Sequence, residues 1–294
     1  MASFLEKAAE LLWGPWMLFL VLGTGVYFTI GTRWLSLRKL KTAFQAALRS
    51  ESEGQGDVSP LGALCTSLAA TLGTGNIIGV ATAITAGGPG ALFWMMVAAF
   101  FGMATKYAEG YLAVRYRRRN PDGAFLGGPF LYLELGLRRP FLARIFAVSC
   151  IVTCLISMGT TSQINGIVDA AQDFFDPQKQ HNLSLFGCSV NLPTLIAGAL
   201  TTILVGLVLA GGIRRIASVA TLAVPFMAIL YTALTLWLIL MHWRQLPSAT
   251  ALILHSAFMP RATLGAAAGI TLQKAIRFGL GRGIFSNEAG MGSD

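Results

Sequence analysis

The sequence predicts an all-α integral membrane protein, and three observations carry that expectation. First, of 294 residues 54% are hydrophobic and 12% charged, with a mean hydropathy of +0.64, whereas soluble domains carry about 25% charged residues. Second, the apolar residues gather in seven runs, 11–30, 61–86, 91–114, 145–170, 192–210, 216–241 and 264–285, each near the roughly 20 residues a spanning helix needs. Third, the basic residues gather in alternate gaps. Arg33, Arg38, Lys39, Lys41 and Arg49 lie in one; Arg115, Arg117, Arg118, Arg119, Arg138, Arg139 and Arg144 in another; Arg214 and Arg215 in a third. Only Lys7, Lys179, Arg244 and Arg261 fall on the opposite side. The excess of 22 basic over 13 acidic residues therefore reads as membrane topology, with the N-terminus outside and the basic gaps in the cytoplasm. An ordinary soluble enzyme, a disordered chain and a nucleic-acid module are excluded. No linker divides the chain, so residues 1–294 read as one transmembrane domain of about seven helices.

The first run is too long for the core of a secretory signal and is read as a retained helix. Ser59 and Pro60 supply an N-cap and a proline at the first helical position of the second run. Gly88-Pro89-Gly90 is a tight turn into the third. Gly127-Gly128-Pro129 opens a short segment, 130–137, expected to be an interfacial helix. The fourth run continues into a polar end with Ser157, Thr160, Thr161, Gln163 and Asn165, too many polar groups for a lipid-facing helix. Trp13, Trp16, Trp237 and Trp243 sit near run ends, where aromatic belts belong.

The chemistry-bearing positions are few. Gly73, Gly75 and Gly79 fall in the middle of the second run beside Thr71, Thr74 and Asn76. Each glycine costs about 1 kcal/mol against alanine in a helix, so the cluster favours a break, which would offer N–H groups to a carboxylate and carbonyls to a cation. The other reading is a helix packing face built on Gly75 and Gly79. Gly279, Gly281 and Gly283 are expected to interrupt the seventh run in the same way, near Lys274, Arg277, Arg282 and Glu288. Paired interruptions five runs apart point to a transporter site between repeats. A GxGxxG nucleotide loop is discarded because no strand precedes the pattern.

Gln163 serves equally as a solute contact or a tie between helices. Lys106 and Glu109 share a helix face and read as a structural pair, with a proton relay as the other use. His181, His242 and His255 read as solvated loop residues, and Asn182-Leu-Ser184 as a chance glycosylation pattern. Cys65, Cys150, Cys154 and Cys188 lack partners for a metal site and read as small buried hydrophobes. With no Ser/His/Asp set and no paired carboxylates at membrane depth, no enzyme is expected.

TLGTGNIIGVATAITAGGPGALFWMM, then GMATKYAEGYLAVRYR, FLGGPFLYLELGL, TSQINGI and GLGRGIFSNEAGMGS, resemble the alanine or glycine:cation (sodium:alanine) symporter family over nearly the whole chain. Met96 departs from the family's usual second tryptophan. The resemblance implies a LeuT-like fold of two inverted five-helix repeats. This chain would hold one extra N-terminal helix, the first repeat and the first helix of the second. It implies symport of a small neutral amino acid, alanine or glycine, with sodium or sometimes a proton, across a bacterial-type inner membrane. No cofactor is implied beyond sodium as coupling ion; the partners are the solute, the ion and the lipid bilayer, with no nucleic acid.

By the same resemblance, the N–H groups of Thr74 and Gly75 would meet the substrate carboxylate, and Gln163 would face the substrate. Phe278, Gly279 and Gly281 would keep the pocket small. The Thr71 carbonyl and Asn76 side chain would hold a cation, and the carbonyls of Ala69 and Leu72 a second one. The family has four further core helices after the seventh, so the chain is expected to be a truncated form unable to transport alone. The alternatives are a non-transporting half-protein that binds or regulates a partner chain, an intramembrane enzyme and a channel.

Overall fold

The computed structural model describes residues 14–48, 58–121, 123, 125–156, 158–185, 188–258 and 272–292. Nearly all of this is helix, in chain order α1 (Pro15–Gly31), α2 (Leu35–Arg38), α3 (Leu40–Leu48), α4 (Pro60–Thr71), α5 (Thr74–Gly87), α6 (Gly90–Arg115), α7 (Pro140–Ile156), α8 (Met158–Phe175), α9 (Leu192–Leu209), α10 (Gly212–Met241), α11 (Leu246–Phe258) and α12 (Leu272–Asn287). Among the described residues, four stretches are long and apolar enough to cross a membrane: Pro60–Gly87 taken across its interruption, Gly90–Arg115, Leu192–Leu209 and Gly212–Met241. Pro15–Gly31 and Pro140–Leu155 are shorter apolar helices. Trp13 and the first part of the seventh run lie outside the described residues.

Helix ends follow local chemistry. Ser59 Oγ accepts the Gly62 N–H at 3.1 Å and Pro60 takes the first helical position, so α4 begins where the sequence predicts. Between α5 and α6, Gly88 takes φ 76°, and the Ala91 N–H donates to its carbonyl at 3.0 Å. The fourth run is helical on both sides of residue 157, over α7 and α8. The segment expected as an interfacial helix is instead a short turn, Pro129–Leu131, running into a π-helical turn, Tyr132–Gly136. Two short antiparallel hairpins occupy polar gaps: β1 (Arg118–Arg119) with β2 (Phe125–Leu126), and β3 (Asn182–Leu185) with β4 (Cys188–Asn191). α9 is largely apolar, with no buried residue, and has the length and composition of a membrane-crossing helix.

The chain divides into two units, one of Met1–Arg49, Gly79–Ala147 and Ala228–Asp294, the other of Ser50–Ile78 and Val148–Met227. In the first, α6 is the central helix. Leu18 of α1, Ala98 of α6, and Leu280 and Ile284 of α12 form one apolar cluster. Ala83 of α5 joins Ala91 and Met95 of α6 in another. Trp94 Nε1 donates to the Ala257 carbonyl of α11 at 3.1 Å, satisfying the indole inside the unit. In the second unit, Cys65 of α4 packs with Ala220 and Val224 of α10, and Thr194 Oγ1 of α9 donates to Gln172 Oε1 of α8 at 3.4 Å. Cys65 is thus the buried hydrophobe the sequence predicts. Cys154 is exposed, because α7 turns that face outward.

Candidate functional site

The second run is interrupted. α4 ends at Thr71, Leu72 is extended at φ −97° and ψ 92°, and α5 restarts at Thr74. A helix end leaves backbone groups without intrahelical partners, and here side chains come to them. Asn76 Nδ2 donates to the Thr71 carbonyl across the gap. Thr74 Oγ1 donates to the Gln163 carbonyl of α8 at 2.9 Å. Thr71 Oγ1 turns back to the Ser67 carbonyl at 3.2 Å. A Cβ on Gly73 would stand 3.0 Å from the Gln163 side-chain amide, and one on Gly166 would stand 3.0 Å from Thr74 Oγ1. The two glycines therefore let α8 approach the interruption closely, a use of glycine that needs no positive φ. Of the ten candidate residues, Thr71, Thr74, Asn76 and Gln163 are brought together, and Gly75 lies in the first turn of α5. Ala69 and Leu72 flank the gap with exposed side chains.

Phe278, Gly279 and Gly281 lie in the other unit, on α12. The expected interruption at Gly279, Gly281 and Gly283 is not there: α12 runs unbroken from Leu272 to Asn287. The glycines serve packing instead. A Cβ on Gly279 would overlap the Ala91 carbonyl and stand 2.7 Å from Trp94 Cβ; one on Gly283 would stand 2.7 Å from Ala98 Cβ and 3.0 Å from the Met95 carbonyl. α12 and α6 thus meet nearly backbone to backbone along this edge. Gly281 faces elsewhere, and with Phe278 it lines a cavity of about 390 Å³ against α5.

The irregular backbone comes one turn later. Glu288, Gly290 and Gly292 take φ 50°, 86° and 67°. Their turn is gripped on several sides. A Cβ on Gly290 would stand 3.3 Å from Val21 Cγ1, and one on Gly292 would stand 2.9 Å from Pro129 Cγ and 3.1 Å from the Phe146 ring. The Gly292 N–H donates to Glu109 Oε1 of α6 at 3.2 Å. Burial pushes the Tyr132 phenol above its ordinary value, and the Glu109 carboxylate adds to that rise. Sequence reasoning placed Glu109 against Lys106 alone and missed this turn; the signal was the alternation of glycines at 290 and 292.

A second carboxylate was also missed. Asp176, 4% exposed, follows α8 and accepts the backbone N–H of His181 at 2.9 Å and of Gln180 at 3.0 Å, and Asn191 Nδ2 at 2.7 Å. These donors, the His181 amide foremost, hold its carboxyl down at about 2. It fastens the β3–β4 hairpin to the end of α8, and Asp176-Pro177 was its turn signal. His181 is thus tied through its backbone, while its exposed ring sits 3.5 Å from the carboxylate. Among the described residues no group of three or more His, Cys, Asp or Glu side chains is placed to hold a metal ion.

The fold defines a class first: a multi-pass membrane protein of apolar helices, one of them interrupted. The sequence profile of the Sodium:alanine symporter family matches residues 1–294, and the chain belongs to that family. An uncharacterized transporter of Haemophilus influenzae is 46% identical over 291 residues, 99% of this chain and 60% of its own length. A sodium/alanine symporter of Methanococcus maripaludis, AgcS, is 39% identical over 99% of this chain and 61% of its own length. A probable sodium/glutamine symporter of Bacillus subtilis, GlnT, is 37% identical over 97% of this chain and 56% of its own. The chain spans between 56% and 61% of the length of these relatives.

Proposed function

We propose that this chain carries the solute-binding half of a secondary transporter that couples entry of a small neutral amino acid, alanine or glycine, to sodium. The scaffold in this reading is LeuT-like, in a bacterial inner membrane with the N-terminus outside, and the protein works by alternating access rather than as an enzyme. Family membership supports the class. The observation that carries the site is the interruption at Leu72 and Gly73, where polar groups of Thr71, Thr74, Asn76 and Gln163 gather inside an apolar run. Non-helical backbone at membrane depth is stable only when buried in protein or lining a cavity.

The first N–H groups of α5, those of Thr74 and Gly75, carry the positive end of a helix dipole and suit a carboxylate. The carbonyls at the end of α4 suit a hard cation, which takes oxygen ligands. Sodium at Thr71 would replace the Asn76 amide donor there, and the amide would turn to offer Oδ1. The carbonyls of Ala69 and Leu72 stand as a second cation position.

Alanine binding to the chain in lipid nanodiscs tests this. Binding is expected to need sodium, with potassium no substitute, and to weaken about tenfold or more in Asn76→Ala through loss of one ion-contacting group. No binding, or binding indifferent to sodium and to Asn76, refutes the assignment.

A further inference from the structure

α9 and α10, both long and apolar enough to cross a membrane, are joined only by Ala210 and Gly211. Hydrocarbon does not tolerate an open turn exposed to it, so this turn and the first turn of α10 stand at the headgroup level of the bilayer. Two arginines stand there. Arg214 is exposed on α10, and Arg215 lies back over Gly211, where a Cβ would overlap its side chain.

Arg214, Ser218, Thr221 and Leu222 recur at the three- and four-residue spacing of one helix face. They line a cavity of about 540 Å³ with Ser59 and Gly62 at the start of α4. Among the described residues that line it, none is acidic. Further along, Cys65 of α4 packs with Ala220 and Val224 of α10 and fixes the two walls to each other. Ser59 Oγ accepts the Gly62 N–H at 3.1 Å and keeps its own proton to donate. Thr221 Oγ1 donates to the Ala217 carbonyl at 2.7 Å and keeps its lone pairs to accept. Polarity changes along the face: Leu222, at the cavity, is 79% exposed, and Phe226, one turn further into the run, is 68% exposed.

We propose that this cleft between α4 and α10 binds an anionic phospholipid of the phosphatidylglycerol type, its phosphate on Arg214 and an acyl chain along Leu222 and Phe226. Basic pockets between membrane helices take anionic headgroups, and a guanidinium fork matches phosphate oxygens. The Ser59 hydroxyl adds a donor to the phosphate, and Thr221 accepts from a glycerol hydroxyl. A free anion would use the polar end alone; only an amphiphile uses the polar end and the apolar continuation together. The site rests on insertion of the chain in a bilayer and is independent of the solute and its ion.

Native mass spectrometry of the 294-residue chain, titrated in detergent with dioleoylphosphatidylglycerol or dioleoylphosphatidylcholine, tests the proposal. The first phosphatidylglycerol is expected to bind about tenfold tighter than phosphatidylcholine. Arg214→Gln is expected to remove most of that preference, and Arg214→Lys, which keeps the charge without the fork, to remove less. Arg244→Gln, beyond the other end of α10, is expected to leave it unchanged. Both glutamine variants take one charge from a chain of net +9, so a difference between them reports a site rather than overall charge. On the unmutated chain in nanodiscs, replacing phosphatidylcholine by phosphatidylglycerol is expected to slow phenylglyoxal modification of Arg214 about threefold and to spare Arg244. Equal effects at Arg214 and Arg244 in either assay, or no preference for phosphatidylglycerol, overturn the site and leave this face to a protein contact. Displacement of the lipid by excess inorganic phosphate overturns the lipid as occupant in favour of a free anion.

Discussion

The glycines of α12 make opposite demands on a methyl group. In Gly279→Ala the new Cβ meets the Ala91 carbonyl and Trp94 Cβ, and in Gly283→Ala it meets Ala98 Cβ and the Met95 carbonyl. Two of these four neighbours are backbone atoms of α6, which move only if the helices separate. In Gly281→Ala the nearest atom is Leu18 Cδ2 at 3.9 Å, an ordinary contact. Alanine gains about 1 kcal/mol of helix propensity over glycine, while overpacking costs about 1–3 kcal/mol. The net expectation is a loss of up to roughly 2 kcal/mol for Gly279→Ala and Gly283→Ala, and a gain of roughly 0.5–1 kcal/mol for Gly281→Ala. Thermal unfolding of the chain in detergent, followed by circular dichroism, ranks the three. If Gly281→Ala lowers the midpoint as far as Gly279→Ala does, the glycines act as helix breaks and the packing account fails.

Glu109→Ala removes the acceptor of the Gly292 N–H and is expected to speed hydrogen exchange across residues 288–292 about tenfold, with Glu109→Gln, which keeps an acceptor oxygen, closer to the parent; unchanged exchange in Glu109→Ala would show that packing alone holds the turn. Asp176 has a carboxyl held below its ordinary 3.8, at about 2, so its stabilising effect is complete above pH 3.8 and is lost as pH falls through about 2. The amide signals of Gln180 and His181 should titrate with that low midpoint, and should not titrate there in Asp176→Asn; a midpoint near 3.8 would contradict the buried acceptor role.

Much of this architecture is legible in the order of residues. Apolar runs of helical length show where segments can enter a bilayer, because hydrocarbon accepts backbone only with its hydrogen bonds closed. Ser59-Pro60 and Gly88-Pro89-Gly90 set α4 and α6 at their starts, since caps and turns act over three or four residues. The cluster at Gly73, Gly75 and Asn76 favoured a break in the second run, with a packing face as the other reading.

What residue order could not distinguish is what each glycine is for. Gly73 and Gly279 look alike in sequence, yet one lies in an interruption beside the Gln163 side chain and the other lies mid-helix against the Ala91 carbonyl. A glycine is a missing Cβ, and whether that absence serves a bend or a close helix crossing depends on which atom comes from elsewhere in the chain. The partners of Glu109 and Asp176 were hidden for the same reason. Gly292 lies 183 positions from Glu109 and Asn191 lies 15 from Asp176, and contacts at such separations arise from packing, which local pattern does not encode.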